Sequence, residues 1–158
     1  MSDPQGRFDA PPPARERLFN APLTPVMIAA SMPLLFLLQL RWPDGGASMA
    51  FAPADLAQGR WSGLFTVMLL HGGWSHAIMN AVGALAFGAP VARLLGDRIG
   101  PTVFLLFYVA CGALAALGYG LIHWGSPQPM VGASGAVFGL VGAATRLMGG
   151  QGRVLPLF

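Results

Sequence analysis

Not one Asp, Glu, Lys or Arg occurs between Leu64 and Ala92. A stretch this long with no charge has few homes in water, and the rest of the chain repeats the pattern. Four apolar segments are close to the ~20 helical residues needed to cross a hydrocarbon layer: Thr24 to Leu40, Gly73 to Ala92, Pro101 to Ile122 and Gly132 to Met148. Composition agrees, with 54% hydrophobic residues, 9% charged and a mean hydropathy of +0.60, against about 25% charged in a soluble domain. The expected fold class is therefore all-α, a polytopic membrane helical bundle with four transmembrane helices.

All nine basic residues are arginine, and they report topology. Arg7, Arg15 and Arg17 precede the first span, Arg93 and Arg98 separate the second from the third, and Arg146 and Arg153 lie at or beyond the end of the fourth. Arg41 and Arg60 fall on the other side. The positive-inside rule then places both termini in the cytoplasm. No arginine run forms a stripe suited to nucleic acid, so the net charge of +3 does not call for that partner. A single cysteine, Cys111, excludes an internal disulfide and a cysteine-based zinc site. Residues 1–22 contain Pro11, Pro12 and Pro13 among mixed charges and are expected to form a cytoplasmic disordered tail. Residues 23–150 form the membrane domain, and 151–158 a loop leading onward. The stretch from Arg41 to Gly72 mixes Pro43, Asp44, Pro53 and Asp55 with an amphipathic run and is expected to lie along the interface.

Polar groups inside the apolar stretches carry the chemistry. The motif "HGGWSHAIMN", residues 71–80, sets His76 and Asn80 four apart and so on one helical face, within the first turns of the second span. "GASGAVFG", residues 132–139, sets Ser134 in the first turn of the fourth. Both spans enter from the outer side, so the three groups arrive near one depth. Seventeen residues give the fourth span only about 25 Å of helix, so it should start below the surface with the preceding loop dipping in behind it. Backbone of that kind must be protein-buried or face water. A serine at a helix N-terminus between glycines has free N–H groups and a positive dipole end beside it. An oxyanion formed by attack of Ser134 on an acyl carbon would be stabilised there, with His76 and Asn80 as further donors. Taken singly, each piece has a plainer use: "GASG" as a helix cap, His76 and Asn80 as interhelical hydrogen-bonding groups, His123 and the four tryptophans as interfacial residues.

The paired motifs together resemble the rhomboid intramembrane serine proteases. The likeness covers roughly Leu64 to Gly150. It implies that Ser134 is the nucleophile, that His76 and Asn80 stabilise the oxyanion, and that His71 holds the interfacial segment against the core. Gly132, Gly135 and Phe138 are near-site residues by the same likeness. It further implies acyl-enzyme cleavage of transmembrane or membrane-proximal segments of protein substrates, with no cofactor and no metal, in the bilayer of a bacterial cell membrane. A non-catalytic rhomboid-like protein that binds transmembrane clients is the alternative. A haem or ion-translocating bundle is disfavoured, because no acidic residue lies within any span.

Three departures stand out. The acidic residue of a family pattern at the inner end of the second span is replaced by Ala92, between Gly88 and Gly96. A Trp–Arg pair is displaced, with Ser62 and Gly63 at its usual place and Arg60 and Trp61 just before. Most importantly, rhomboids draw their general-base histidine from a sixth span, and no such histidine follows Ser134 before Phe158; truncation after the fourth span is the expected explanation. Gly135, Gly139 and Gly142 are spaced to form a groove of small residues, expected to stay open for a missing helix or for self-association.

Overall fold

The computed structural model describes residues 21–149. Within them lie six α-helices and no strand: α1 (Leu23–Gln39), α2 (Pro53–Ala57), α3 (Gly63–Thr66), α4 (Trp74–Leu95), α5 (Gly100–Ile122) and α6 (Ser134–Gly149). The expected tail, residues 1–22, falls outside the described residues save for its last two, and 151–158 falls outside entirely. The four long helices match the four expected spans. The largest discrepancy is the end of α4, which runs past Ala92 through Arg93 to Leu95. A cation in the last turn complements the helix dipole, and Gly96, at φ +74°, ends the helix where other residues would be strained. α5 starts with Pro101 in its first turn, where its missing N–H costs nothing. The protein is an all-helical polytopic membrane bundle. Helices α4 and α5, with 22 and 23 residues, are long and apolar enough to cross a bilayer, whereas α1 and α6 are shorter apolar helices.

Close backbone approach holds the bundle together. In cross-section the order is α1, α4, α6, α5. At the α1–α4–α5 junction, a Cβ on Gly88 would lie 3.0 Å from the Phe104 ring and 3.1 Å from Pro25. Between α4 and α6, a Cβ on Gly83 would lie 2.8 Å from Val137. Without a hydrophobic drive between helices in lipid, this small-residue packing supplies the dispersion contacts.

The groove on α6 is a correction to the sequence reading. A Cβ on Gly135 would lie 2.5 Å from the Ala115 Cβ, and one on Gly139 would lie 2.5 Å from Cys111. The small stretch of α5 fills this side of α6, because its own small residues lie at matching spacing. Of the three glycines, Gly142 alone has nothing within 4 Å. The groove expected to be free for another helix or a second copy is closed at two of its three positions.

Residues 41–72 make a compact excursion against α5. Phe51 and Leu56 are buried, and a Cβ on Gly120 would strike both side chains. Met68 packs into the notch left by Gly112. The Asp55 carboxylate accepts the Ala52 N–H at 3.1 Å, capping α2, and pairs with exposed Arg60. The loop from His123 to Ala133 lies on this excursion: Phe51 and Met130 form an isolated antiparallel bridge, and the Ala54 N–H donates to the Ser126 carbonyl at 2.9 Å. The loop expected to dip behind the fourth span therefore has protein partners for these backbone groups.

Candidate active site

The site lies on the seam between α4 and α6. His76, Asn80 and Gly83 share the α4 face that meets α6, being four and three residues apart. At the upper end of the seam the His76 ring packs on Gly132: a Cβ there would lie 2.6 Å from Cε1 and 2.7 Å from Nε2. Gly132 also has φ +127°. Two independent constraints thus select glycine at this position. One turn below Asn80, Gly83 meets Val137. Ser134 opens α6 between those two seam contacts, so the fold gathers Ser134, His76 and Asn80 at one end of one helix pair.

Ser134 is not the helix cap. The Val137 N–H donates to the Ala133 carbonyl at 3.0 Å, which makes Ala133 the N-cap and Ser134 the first helical residue. The N–H groups of Ser134, Gly135 and Ala136 are then without intrahelical acceptors. Gly132 spends its own N–H on the Val67 carbonyl at 3.0 Å, which fixes the approach to the helix. Ser134 is half-buried, and its hydroxyl is in no hydrogen bond among the described residues. Phe138, four residues on and on the same side, is 72% exposed, so this flank of α6 is open in the described residues.

The two side-chain donors differ in how they are held. The Gly72 N–H donates to His76 Nδ1 at 3.3 Å. A nitrogen that accepts carries no proton, so neutral His76 has its hydrogen on Nε2, the nitrogen against Gly132. Asn80 is buried, and its Nδ2 has no partner among the described residues. An orphaned buried donor costs about 1–3 kcal/mol.

His71 is tied to the bundle by its backbone. Its N–H donates to Gln39 Oε1 at 2.9 Å, and its carbonyl accepts from Gln39 Nε2 at 3.1 Å. The ring is 1% exposed, stands edge-on to His76 with centroids 5.5 Å apart, and neither ring nitrogen has a partner among the described residues. Burial first, then the neighbouring His76, pull its pKa down to about 4 and keep the ring neutral. His123 turns back on its own helix, with Nδ1 3.0 Å from the Tyr119 carbonyl and its ring stacked on Tyr119. Gln39 escaped the sequence reading. A single carboxamide ending a greasy helix has no periodic or motif signal, and only the fold shows what it reaches. No group of three metal-ligating side chains occurs among the described residues.

The His–Asn ladder and the glycine-flanked serine both lie within residues 58–153, which match the rhomboid domain. The chain belongs to the rhomboid family. The rhomboid protease GluP of Bacillus subtilis is 34% identical over 128 residues, covering 76% of this chain and 23% of GluP. The rhomboid-family protein YdcA of the same organism is 35% identical over 91 residues, covering 55% of this chain and 41% of YdcA. The matched segment is thus well under half the length of either relative. No solved structure matches the chain.

Proposed function

We propose that this rhomboid chain carries the nucleophile and oxyanion groups of an intramembrane serine endopeptidase. Ser134 Oγ attacks the carbonyl carbon of a scissile peptide bond in a transmembrane or membrane-proximal segment, forming an acyl-enzyme as the amine leaves. The negative charge that develops on the carbonyl oxygen is met by His76 Nε2–H, by Asn80 Nδ2 and by backbone N–H groups at the start of α6, with the helix dipole behind them. What supports this reading is that His76 Nδ1 accepts the Gly72 N–H while Nε2 lies against Gly132, two residues before Ser134, and that buried Asn80 Nδ2, one turn along the same helix, has no partner among the described residues.

Serine needs a base to take its proton. None of the three histidines in the chain is disposed to do so: His76 accepts the Gly72 N–H through Nδ1 and is assigned to the oxyanion through Nε2, His71 is buried, and His123 is bound to its own helix. No histidine of this chain is therefore assigned as the base. Seven of nine arginines on one side favour a cytoplasmic N-terminus, and the Bacillus relatives favour a bacterial cell membrane. The lipid bilayer and transmembrane proteins are its partners in this proposal. Labelling with a fluorophosphonate tests the nucleophile in the longest natural form of the protein. The probe should attach at Ser134 and not to a Ser134→Ala variant. Equal labelling of both removes Ser134 from the role, and labelling of neither supports the client-binding alternative.

A further inference from the structure

Gln39, the last residue of α1, makes three hydrogen bonds to segments distant in sequence or beyond the helix. Its Nε2 donates to the Gly45 carbonyl at 3.0 Å and to the His71 carbonyl at 3.1 Å, while its Oε1 accepts the His71 N–H at 2.9 Å. Towards His71 the carboxamide behaves like a peptide unit, offering a donor and an acceptor to the same residue. A carboxylate lacks the donor, an ammonium lacks the acceptor, and an apolar side chain lacks both. The fit is tight: Gly46, at φ +89°, has no room for a Cβ between Leu70 and Gln39. The residue after His71 is Gly72, whose N–H donates to His76 Nδ1. The clamped His71 carbonyl and the Gly72 N–H are therefore the two ends of one planar peptide unit, and that N–H makes the hydrogen bond that decides which nitrogen of His76 carries the proton.

We propose that Gln39 is a positioning residue for His76: by clamping the His71 backbone it aims the Gly72 N–H at Nδ1 and so keeps the ring proton on Nε2, turned towards Gly132 and the start of α6. The proposal rests on the reading of His76 as an oxyanion donor. Gln39 touches neither substrate nor nucleophile. It acts through two backbone groups and one imidazole, and its removal should change the ring before it changes the fold. Among the described residues no other hydrogen bond holds the His71 backbone, and its ring nitrogens are unpartnered there as well.

The test is nitrogen NMR of the 158-residue chain, labelled at histidine and placed in phospholipid nanodiscs. His76 is assigned by its loss in His76→Gln, and His123 serves as the internal control because its bond to Tyr119 lies in another loop. The wild-type His76 should carry its proton on Nε2 alone. Gln39→Met, close in size and without polar atoms, should yield a mixture of both tautomers with His123 unmoved. Gln39→Glu keeps the acceptor for the His71 N–H and should fall between. On the proposed function, fluorophosphonate labelling at Ser134 should also slow in Gln39→Met, by up to about 10²-fold, the scale of a misaimed donor. A wild-type ring with its proton on Nδ1 overturns the proposal, as does a Gln39→Met ring indistinguishable from wild type. If Gln39→Met disturbs His123 as well, Gln39→Glu decides, and a wild-type ring there overturns it too. Failure of the catalytic reading is separable: an unlabelled wild-type serine alongside a tautomer shift in Gln39→Met would remove the enzymology and leave the clamp.

Discussion

Gly132→Ala is the substitution with the largest expected effect for the smallest chemical change. The added methyl carbon would sit 2.6 Å from His76 Cε1 and 2.7 Å from Nε2, whereas ordinary contact begins near 3.4 Å, so the ring must retreat by about 0.8 Å (3.4 − 2.6). The retreat is along the line from Gly132 to the imidazole, which carries the Nε2–H away from the start of α6. Misplacement by about 1 Å can cost about 10²-fold in rate, and outright loss of one oxyanion donor costs about 10²–10³-fold. Alanine must also adopt φ +127°, a strain on the order of 1–3 kcal/mol. On the proposed function, labelling at Ser134 is accordingly expected to slow about 10²-fold, with a lowered unfolding midpoint. The assay is a fluorophosphonate time course in lipid nanodiscs with thermal unfolding recorded on the same sample. Gly73→Ala is the matched control, because nothing lies within 4 Å of that position and its backbone is extended. A folded Gly132→Ala protein labelled at the wild-type rate would refute the proposed use of His76 beside Gly132.

Other expectations follow from the same geometry. Gly135→Ala forces α5 and α6 apart at Ala115 and should cost about 1–3 kcal/mol of stability, whereas Gly142→Ala meets open space and should be neutral or gain up to about 1 kcal/mol from helix propensity; detergent unfolding titrations of the pair measure the contrast. Asn80→Leu removes a buried donor that has no partner among the described residues, so stability should hold or rise by about 1–3 kcal/mol while Ser134 labelling falls about 10²-fold. For His71, the folded pKa of about 4 lies below the ordinary 6.5, so the unfolded form takes up a proton first as pH drops. The ring's contribution to stability is thus complete above 6.5 and is lost as pH falls towards about 4. Unfolding curves across that window should show a slope that His71→Phe flattens.

The sequence revealed the spans, because a bilayer demands about 20 apolar residues and these segments have almost no charge. It revealed the ladder of His76 and Asn80 because the four-residue interval is a property of any α-helix. Helix register was not legible. That Gly135 and Gly139 face α5 depends on how two helices cross, and one sequence lists small residues on both without saying which meet. The Ser134 motif was readable, but its offset from the cap by one residue was not, because any of several glycine-rich turns could precede the helix. Gln39 was illegible for a related reason: its partners are backbone groups 6 and 32 residues away, and backbone groups have no signature.

The residues just before Ser134 are hung from the excursion that connects the first two long helices. Phe51 bridges to Met130, and Val67 holds Gly132, while Trp61, Phe65 and Leu69 on the same excursion are turned outward. A Phe51→Ala lesion, more than eighty positions upstream of Ser134, would on this arrangement loosen the hinge plate of α6 as well as its own packing. A mutational scan of this chain should therefore show two remote clusters of sensitivity that rise and fall together.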